Sequence, residues 1–215
     1  MTEVLTSRNS PNIGVLAIQG DYERHAVALE ESGARPSLIK TPEALENLDA
    51  LIFPGGESTT MLKFLDRNNF FDALKSFAQQ KPVFGTCAGA ILLASEVRHP
   101  HQPSLGILDI AVERNAYGAQ RDSAILTLDT TLSGGPLETV FIRAPRIVSI
   151  LKGAGPEVEI LAEREGFPVL IRQGKTMAAT FHPELSADRR VHQLFVDLVN
   201  SGKDTAIQPG LKSLR

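Results

Sequence analysis

The stretch "VFGTCAGAILLA", residues 83–94, contains the chain's one cysteine, Cys87, and decides the choice of fold. It opens with an apolar run typical of a buried parallel strand, and residues 88–95 are predicted to begin a helix. A turn of small residues, 85–89, joins the two. A G-x-C-x-G turn between strand and helix is the cysteine counterpart of the serine nucleophile elbow. A buried core cysteine is the alternative interpretation, because free cysteines are among the most buried residues.

The segments before this turn alternate between strand and helix, which is typical of βαβ units around a parallel sheet. The predicted strands are 13–20, 37–40, 50–58 and 82–86, and the predicted helices are 21–32 and 59–80, the second broken near residues 68 and 69. Asp21 and Ser58 are the expected N-caps of these helices. From 106 to 174 the chain predicts successive strands, and 186–200 predicts a closing amphipathic helix.

The sequence therefore predicts a single three-layer α/β domain with a mixed, mostly parallel central sheet and a strand-rich second half. We assign this domain to residues 12–200, with a flexible N-terminal arm at 1–11 and a C-terminal tail at 201–215. No internal repeat or linker divides it.

Composition narrows the possible functions. The net charge of −3 argues against nucleic acid as the main partner, since phosphate binding needs a basic surplus on some face. A lone cysteine cannot form an internal disulfide. We find neither a signal peptide nor an apolar run approaching the ~18 residues of a membrane helix, so we predict a cytoplasmic protein with no membrane partner.

A thiol nucleophile needs a base, and the base needs an orienting partner. His182 follows a predicted strand, and Glu184 is two residues further on, where an extended segment would put both side chains on the same side. The remaining histidines are weaker candidates: His25 lies in the first helix, His99 and His101 lie in a Pro-rich loop, and His192 is expected to face solvent. His182-Pro183-Glu184 is therefore the predicted base with its orienting acid.

A third feature, Gly55-Gly56-Glu57, follows the third predicted strand. Paired glycines permit a ligand to approach the backbone closely, and their N–H groups could contribute to an oxyanion hole. The alternative is a plain turn into the next helix. In open α/β sheets, ligand sites gather at the carboxyl ends of strands, where this turn, Cys87 and His182 all fall.

Six ordered segments carry a resemblance to a known family. They are "GVLAIQGDYERH" (14–25), "PGGEST" (54–59), "GTCAGA" (85–90), "ERNAYG" (113–118), "FIRAP" (141–145) and "FHPEL" (181–185). Together they resemble the class I glutamine amidotransferases, and within that class the glutaminase subunits of pyridoxal 5′-phosphate synthase. The resemblance covers about 13–200 and implies a flavodoxin-like fold.

The resemblance also implies roles for particular residues. Cys87 would be the nucleophile, His182 the base and acid, and Glu184 the residue that orients His182. Gly56 and Ala88 would supply oxyanion N–H groups. The residues implied to bind L-glutamine are Gly55, Gly56, Glu57, Arg114, Ile142 and Arg143.

The activity implied is hydrolysis of L-glutamine to L-glutamate and ammonia through a cysteine thioester. The ammonia would pass to a synthase subunit in a hetero-oligomeric complex that makes pyridoxal 5′-phosphate (vitamin B6). The resemblance implies neither a metal nor a cofactor on this chain, since pyridoxal phosphate is the product of the complex. Two alternatives stay open: a DJ-1/PfpI-like cysteine hydrolase, or a catalytically silent assembly subunit.

Overall fold

Strands and helices alternate along the first part of the chain, and strands dominate the second part, as predicted. The computed structural model describes residues 10–114 and 123–206. The strands are β1 (Asn12–Leu16), β2 (Arg35–Ile39), β3 (Ala50–Phe53), β4 (Val83–Thr86), β5 (Ala94–Arg98), β6 (Leu108–Glu113), β7 (Ala124–Leu128), β8 (Leu137–Phe141), β9 (Arg146–Ile150), β10 (Val158–Arg164), β11 (Phe167–Gln173) and β12 (Thr176–Ala179). The α-helices are α1 (Tyr22–Glu31), α2 (Ser58–Leu65), α3 (Phe70–Gln80), α4 (Ala88–Leu93) and α5 (Arg190–Ala206).

The central sheet of the described chain has seven strands in the order β10-β11-β12-β4-β3-β1-β2. Strands β12, β4, β3, β1 and β2 are parallel, and β11 and β10 add an antiparallel edge. The chain moves from β1 outward to β2, then returns to β3 on the other side of β1. Such a reversal leaves a crevice at the carboxyl ends of the strands, where ligands bind in folds of this type. The predicted mixed, mostly parallel α/β sheet is confirmed.

Both faces of this sheet are buried. Side chains alternate along each strand, so that Leu51 and Phe53 of β3 enter one core while Ile52 enters the other. The first core packs the sheet against α2, α3, α4 and the β5-β6-β9 sheet. The second packs it against α1, α5 and the β7-β8 hairpin. These two cores give the three layers that the apolar strands predicted.

The helix caps agree with the prediction in part. Asp21 occupies the N-cap position of α1, as predicted, but its side chain makes no capping hydrogen bond. At α2 the N-cap is Glu57, whose carboxylate accepts from the backbone N–H groups of Thr59 and Thr60, while the Ser58 hydroxyl donates to Gln102 Oε1. A glutamate satisfies two helix N–H groups here because the extended backbone at Glu57 turns its longer side chain back over the first turn. The predicted break between α2 and α3 is confirmed.

Two elements extend beyond what the sequence indicated. The helix after Cys87 ends at Leu93, and Ala94 already begins β5, which pairs in parallel with the next strand in the chain, β6. Helix α5 continues past residue 200 to Ala206, inside the segment assigned to the tail. Residues 1–9 and 207–215 lie outside the described residues, so the flexible arm remains a prediction. In the described part of the chain, no helix combines the length and apolarity that crossing a bilayer requires.

Candidate active site

Cys87 lies on a sharp turn between β4 and α4, at φ 48° and ψ −106°. A side-chain-bearing residue in such a sparsely populated region costs about 1–3 kcal/mol. An ideal Cβ on Gly89 would lie 1.9 Å from the Phe53 carbonyl oxygen, and one on Gly85 would lie 2.6 Å from the Gly89 carbonyl carbon. Both flanking glycines are therefore required by the close approach of α4 to β3 and β4. The geometry predicted from the G-x-C-x-G pattern is present.

His182 and Glu184 meet Cys87 from the segment that follows β12. His182 Nδ1 lies 2.7 Å from Glu184 Oε1, and the imidazole lines the same cleft as the Cys87 side chain, close enough for the thiol to raise the pKa of His182. Gly55 borders both partners, because an ideal Cβ there would lie 2.6 Å from His182 Cε1 and 3.3 Å from Cys87 Cβ. Cys87, His182 and Glu184 thus form one contiguous, almost fully buried group.

A turn brings His182 and Glu184 together, not the extended segment that the sequence suggested. Pro183–Leu185 form a short 3-10 helix with His182 as its N-cap, and the Leu185 N–H donates to the His182 carbonyl at 3.2 Å. Pro183 occupies the first helical position, where its missing N–H costs nothing. The predicted contact is correct, and the predicted local structure is wrong.

Burial and hydrogen bonding act in opposite directions on this pair. Burial lowers the pKa of His182, but the nearby Cys87 side chain and the hydrogen bond to Glu184 outweigh that effect and raise the pKa to about 10. Burial raises the pKa of Glu184, while the facing imidazole of His25 and the hydrogen bond from His182 bring it below its ordinary value. At neutral pH the arrangement therefore favours a protonated imidazole between the thiol and an ionised carboxylate.

A cleft of about 300 Å³ opens over the thiol and the imidazole. Its walls come from the ends of β1, β3, β4 and β12 and from the loops after β6 and β8. The lining residues are Gly20, Asp21, Gly55, Gly56, Glu57, Ser58, Cys87, Ile91, Arg114, Ile142, Arg143 and His182. A volume of this order accommodates a small polar molecule such as an amino acid.

The sequence profile of the SNO glutamine amidotransferase family matches residues 15–201, which include this cleft. The chain belongs to that family. It is 54% identical to the pyridoxal 5′-phosphate synthase subunit PdxT of Koribacter versatilis, over 88% of this chain and 96% of that protein. It is 50% identical to PdxT of Solibacter usitatus, over 86% of this chain and 97% of that protein. A crystal structure of a glutamine amidotransferase superposes with a TM-score of 0.79 at 44% identity, covering 87% of this chain and 98% of the other.

Of the ten residues that were predicted for the site of this family member, eight line the cleft and two lie behind it. Those in the lining are Gly55, Gly56, Glu57, Cys87, Arg114, Ile142, Arg143 and His182. Glu184 and Ala88 are buried behind His182 and Cys87 respectively. The Ile142 carbonyl oxygen lies 4.0 Å from Cys87 Sγ. Within the "ERNAYG" motif, positions 115–118 lie outside the described residues.

Glu57 is more constrained than the sequence suggested. Hydrogen bonds from the Thr59 and Thr60 side chains and backbone lower its pKa to about 2. Arg114 Nη2 lies 3.8 Å from Glu57 Oε1, a long ion pair at a half-exposed carboxylate. The carboxylate of Glu57 therefore serves first as the cap of α2, and what it offers a ligand is a fixed negative charge.

The predicted oxyanion donors are Ala88, which follows Cys87 in the chain, and Gly56, which lines the same cleft as Cys87. Ala88 is the first residue of α4, where a backbone N–H has no acceptor within the helix. Gly56 adopts φ 133°, which residues with a side chain rarely reach. An ideal Cβ there would lie 2.9 Å from Gln19 Nε2, and the same Gln19 amide donates to the Glu57 carbonyl. Gln19, which the sequence reasoning missed, thereby fixes the 55–57 loop.

Two histidines were also missed. His25 contacts Glu184. His192, which was expected to face solvent, is fully buried and contacts His25. The signal for His192 was present in α5: Phe195, Val196 and Val199 lie three, four and seven positions later, and all are buried. A histidine in such a stripe belongs to the core face.

One group of possible metal ligands occurs among residues 10–114 and 123–206, namely Asp21, His182 and Glu184, with ligand atoms within 4.8 Å of one another. His182 Nδ1 and Glu184 Oε1 already bond to each other, and Asp21 is exposed. This set therefore fits a hydrogen-bonded relay better than a metal cage.

Proposed function

We propose that this chain is a glutaminase, which hydrolyses L-glutamine to L-glutamate and ammonia with Cys87 as nucleophile. Its membership of a glutamine amidotransferase family supports the substrate and the reaction class. The observation that carries the residue roles is the contact of Cys87 with His182 and of His182 with Glu184, at the floor of a cleft of amino-acid size. Family membership favours this function over a DJ-1/PfpI-like hydrolase.

The reaction begins when the Cys87 thiolate attacks the side-chain carboxamide carbon of glutamine. The new C–S bond moves the carbonyl π electrons onto oxygen, and the protonated His182 then donates its proton to the leaving nitrogen. The C–N bond breaks, and ammonia departs from a glutamyl thioester. Neutral His182 next removes a proton from water as the water oxygen attacks the thioester, and collapse of that intermediate regenerates the thiolate and releases glutamate.

The backbone N–H groups of Gly56 and Ala88 are the proposed oxyanion donors. Losing one such donor costs about 100-fold or more in turnover. For the amino-acid end of glutamine, Arg114 and Arg143 are suited to the carboxylate, and the charge of Glu57 is suited to the ammonium group. Gly55, Gly56 and Ile142 would contribute backbone groups and close contact along the side chain.

The ammonia is proposed to pass to a synthase subunit. The support is the name shared by relatives at 54% and 50% identity, each a subunit of pyridoxal 5′-phosphate synthase. The same names support a hetero-oligomer, and a cytoplasmic location remains an expectation from the sequence. Free ammonia is protonated and diluted in bulk water at neutral pH, so docking over the cleft would let a partner capture it. Pyridoxal phosphate would be the product of the pair, and this chain would carry no cofactor.

The test is ammonia release from L-glutamine, with and without a synthase subunit from a close relative. We expect slow turnover alone, stimulation by the partner, and loss of both in Cys87→Ala. Labelling by a glutamine-mimicking electrophile is the companion assay, and L-glutamine should protect Cys87 from it. Stimulated turnover that persists in Cys87→Ala would contradict the mechanism, and labelling indifferent to glutamine would contradict the substrate.

A further inference from the structure

Behind Glu184, two fully buried histidines continue the row of polar groups into the core. His25 Nε2, on α1, lies 3.2 Å from Glu184 Oε2 and 3.1 Å from Thr86 Oγ1. His25 Nδ1 lies 3.0 Å from Nε2 of His192, on α5. The mechanism above uses neither histidine. A chain of polar side chains thus runs from Cys87 in the cleft through His182, Glu184 and His25 to His192 on α5.

Hydrogen-bond accounting fixes the protons along this chain. Glu184 Oε2 has no well-aligned hydrogen bond, and an ionised carboxylate can only accept. A lone pair on the facing nitrogen would repel this carboxylate, so His25 Nε2 carries the hydrogen. That N–H is aligned with Thr86 Oγ1 and lies close to Glu184 Oε2, with the nitrogen 3.2 Å from the carboxylate oxygen. His25 Nδ1 is then an acceptor, so His192 Nε2 must donate to it. His192 Nδ1 is left as a lone pair with no partner among the described residues.

The surroundings keep both histidines neutral. Burial lowers the pKa of His25, Glu184 and Asp21 pull it upward, and repulsion from His182 lowers it further, with a net lowering. Burial also lowers the pKa of His192 well below its ordinary value, helped by His25 and Arg189. A neutral donor suits this position, because it contacts the carboxylate without competing with His182 for the negative charge.

We infer that His25 is a positioning residue, whose Nε2–H keeps the Glu184 carboxylate ionised and oriented toward His182, with His192 fixing the tautomer of His25. The inference rests on the proposed function, since it concerns the same nucleophile and base. Glu184 Oε1 faces His182 Nδ1 at 2.7 Å, and Oε2 faces His25. With one partner on each oxygen, the carboxylate cannot rotate without losing both contacts.

The variants His25→Leu and His25→Gln separate this role from packing. Leucine has a similar volume but removes both ring nitrogens, leaving Glu184 Oε2 without a donor. Glutamine retains an N–H at the position of Nε2. Leu29→Ala is the matched control, because Leu29 is buried on the same helix but belongs to the apolar core. It should lower thermal stability without touching the polar chain.

The measured quantities are turnover and the pH dependence of Cys87 alkylation by iodoacetamide, which requires no glutamine. In His25→Leu we expect about a tenfold loss of turnover at neutral pH, because Glu184 loses the contact that orients it toward His182. We also expect an upward shift of the acid limb by about one pH unit, because Glu184 takes up a proton more readily once its donor is lost. His25→Gln should recover most of both, and Leu29→Ala should leave the acid limb unshifted.

A measurement on the unaltered protein keeps the inference testable if His25→Leu fails to fold. Nitrogen-15 NMR of labelled histidines should show His25 and His192 as neutral Nε2–H tautomers at neutral pH and above. An Nδ1–H tautomer at His25, an unshifted alkylation profile in His25→Leu, or no recovery in His25→Gln would overturn it. Failure of the proposed function looks different: wild-type protein would then release no ammonia while these profiles remained intact.

Discussion

An alanine at Gly55 tests the arrangement of thiol and imidazole without removing any reacting group. The new Cβ would lie 2.6 Å from His182 Cε1, whereas ordinary contact begins at about 3.4 Å. The ring must therefore move by about 0.8 Å, which changes its position relative to Cys87 and strains its 2.7 Å hydrogen bond to Glu184. A misplacement of about 1 Å typically costs about 100-fold in rate, or about 2.7 kcal/mol of transition-state stabilisation.

The assay is ammonia release coupled to a dehydrogenase that consumes it, with kcat and KM measured separately. We expect kcat to fall about 100-fold while circular dichroism and Tm change little, since the backbone at Gly55 does not need a positive φ. Gly202→Ala is the matched control, because no atom lies within 4 Å of the new Cβ and alanine favours the helix by roughly 0.5–1 kcal/mol. Wild-type turnover in Gly55→Ala would refute the reasoning, because the ring could then shift without consequence.

Three further substitutions probe other contacts of the site. Glu184→Gln should cut turnover by more than 100-fold and lower the pKa of His182 from about 10, so the NMR titration of that imidazole should move to lower pH; an unchanged titration would count against the pairing. Glu57→Gln should lower the free energy of unfolding by about 1 kcal/mol through the weaker cap. Because the pKa of Glu57 is lowered to about 2, its contribution is present above pH 4.5 and lost as pH falls toward 2, so denaturant melts should show that dependence in wild type and not in the variant. Gly89→Ala places a Cβ 1.9 Å from the Phe53 carbonyl oxygen, so we expect loss of folded protein in expression and thermal-shift assays; a folded variant would show that α4 can move away from β3.

The fold was predictable because local and global signals agree. The apolar strands before Cys87 are buried on both faces, and the helices between them cover both faces of the sheet. The alternation of strands and helices and the apolar character of the strands therefore indicated the same three layers. Strand β5 escaped prediction because it begins at Ala94, directly after α4 ends at Leu93, with no turn residue between helix and strand. The N-cap of α2 was predicted wrongly because either Glu57 or Ser58 could cap this helix. The extended backbone at Glu57 makes that residue the cap.

For the candidate site, the sequence indicated the elbow and the His-Pro-Glu base but not what lies behind them. The contact of His182 with Glu184 followed from their spacing, although a 3-10 turn produces it. The roles of Arg114 and Arg143 came only from the resemblance, since an isolated arginine carries no signal. The contact of His25 with Glu184 could not be predicted, because α1 and the segment after β12 are far apart in the sequence and no pattern in either indicates that they pack together.

The buried chain of polar groups is itself an argument for function. A carboxylate in the core costs several kcal/mol in lost hydration, and apolar residues of the same shape often give a protein of equal or greater stability. Glu184 is 2% exposed and His25 and His192 are fully buried, so this cost falls on every molecule that folds. The proposed function accounts for this cost, because the ionised Glu184 would hold the proton on His182 that the departing ammonia takes. On that proposal, the polar chain supports the chemistry at the Cys87 thiol at the expense of stability in the core.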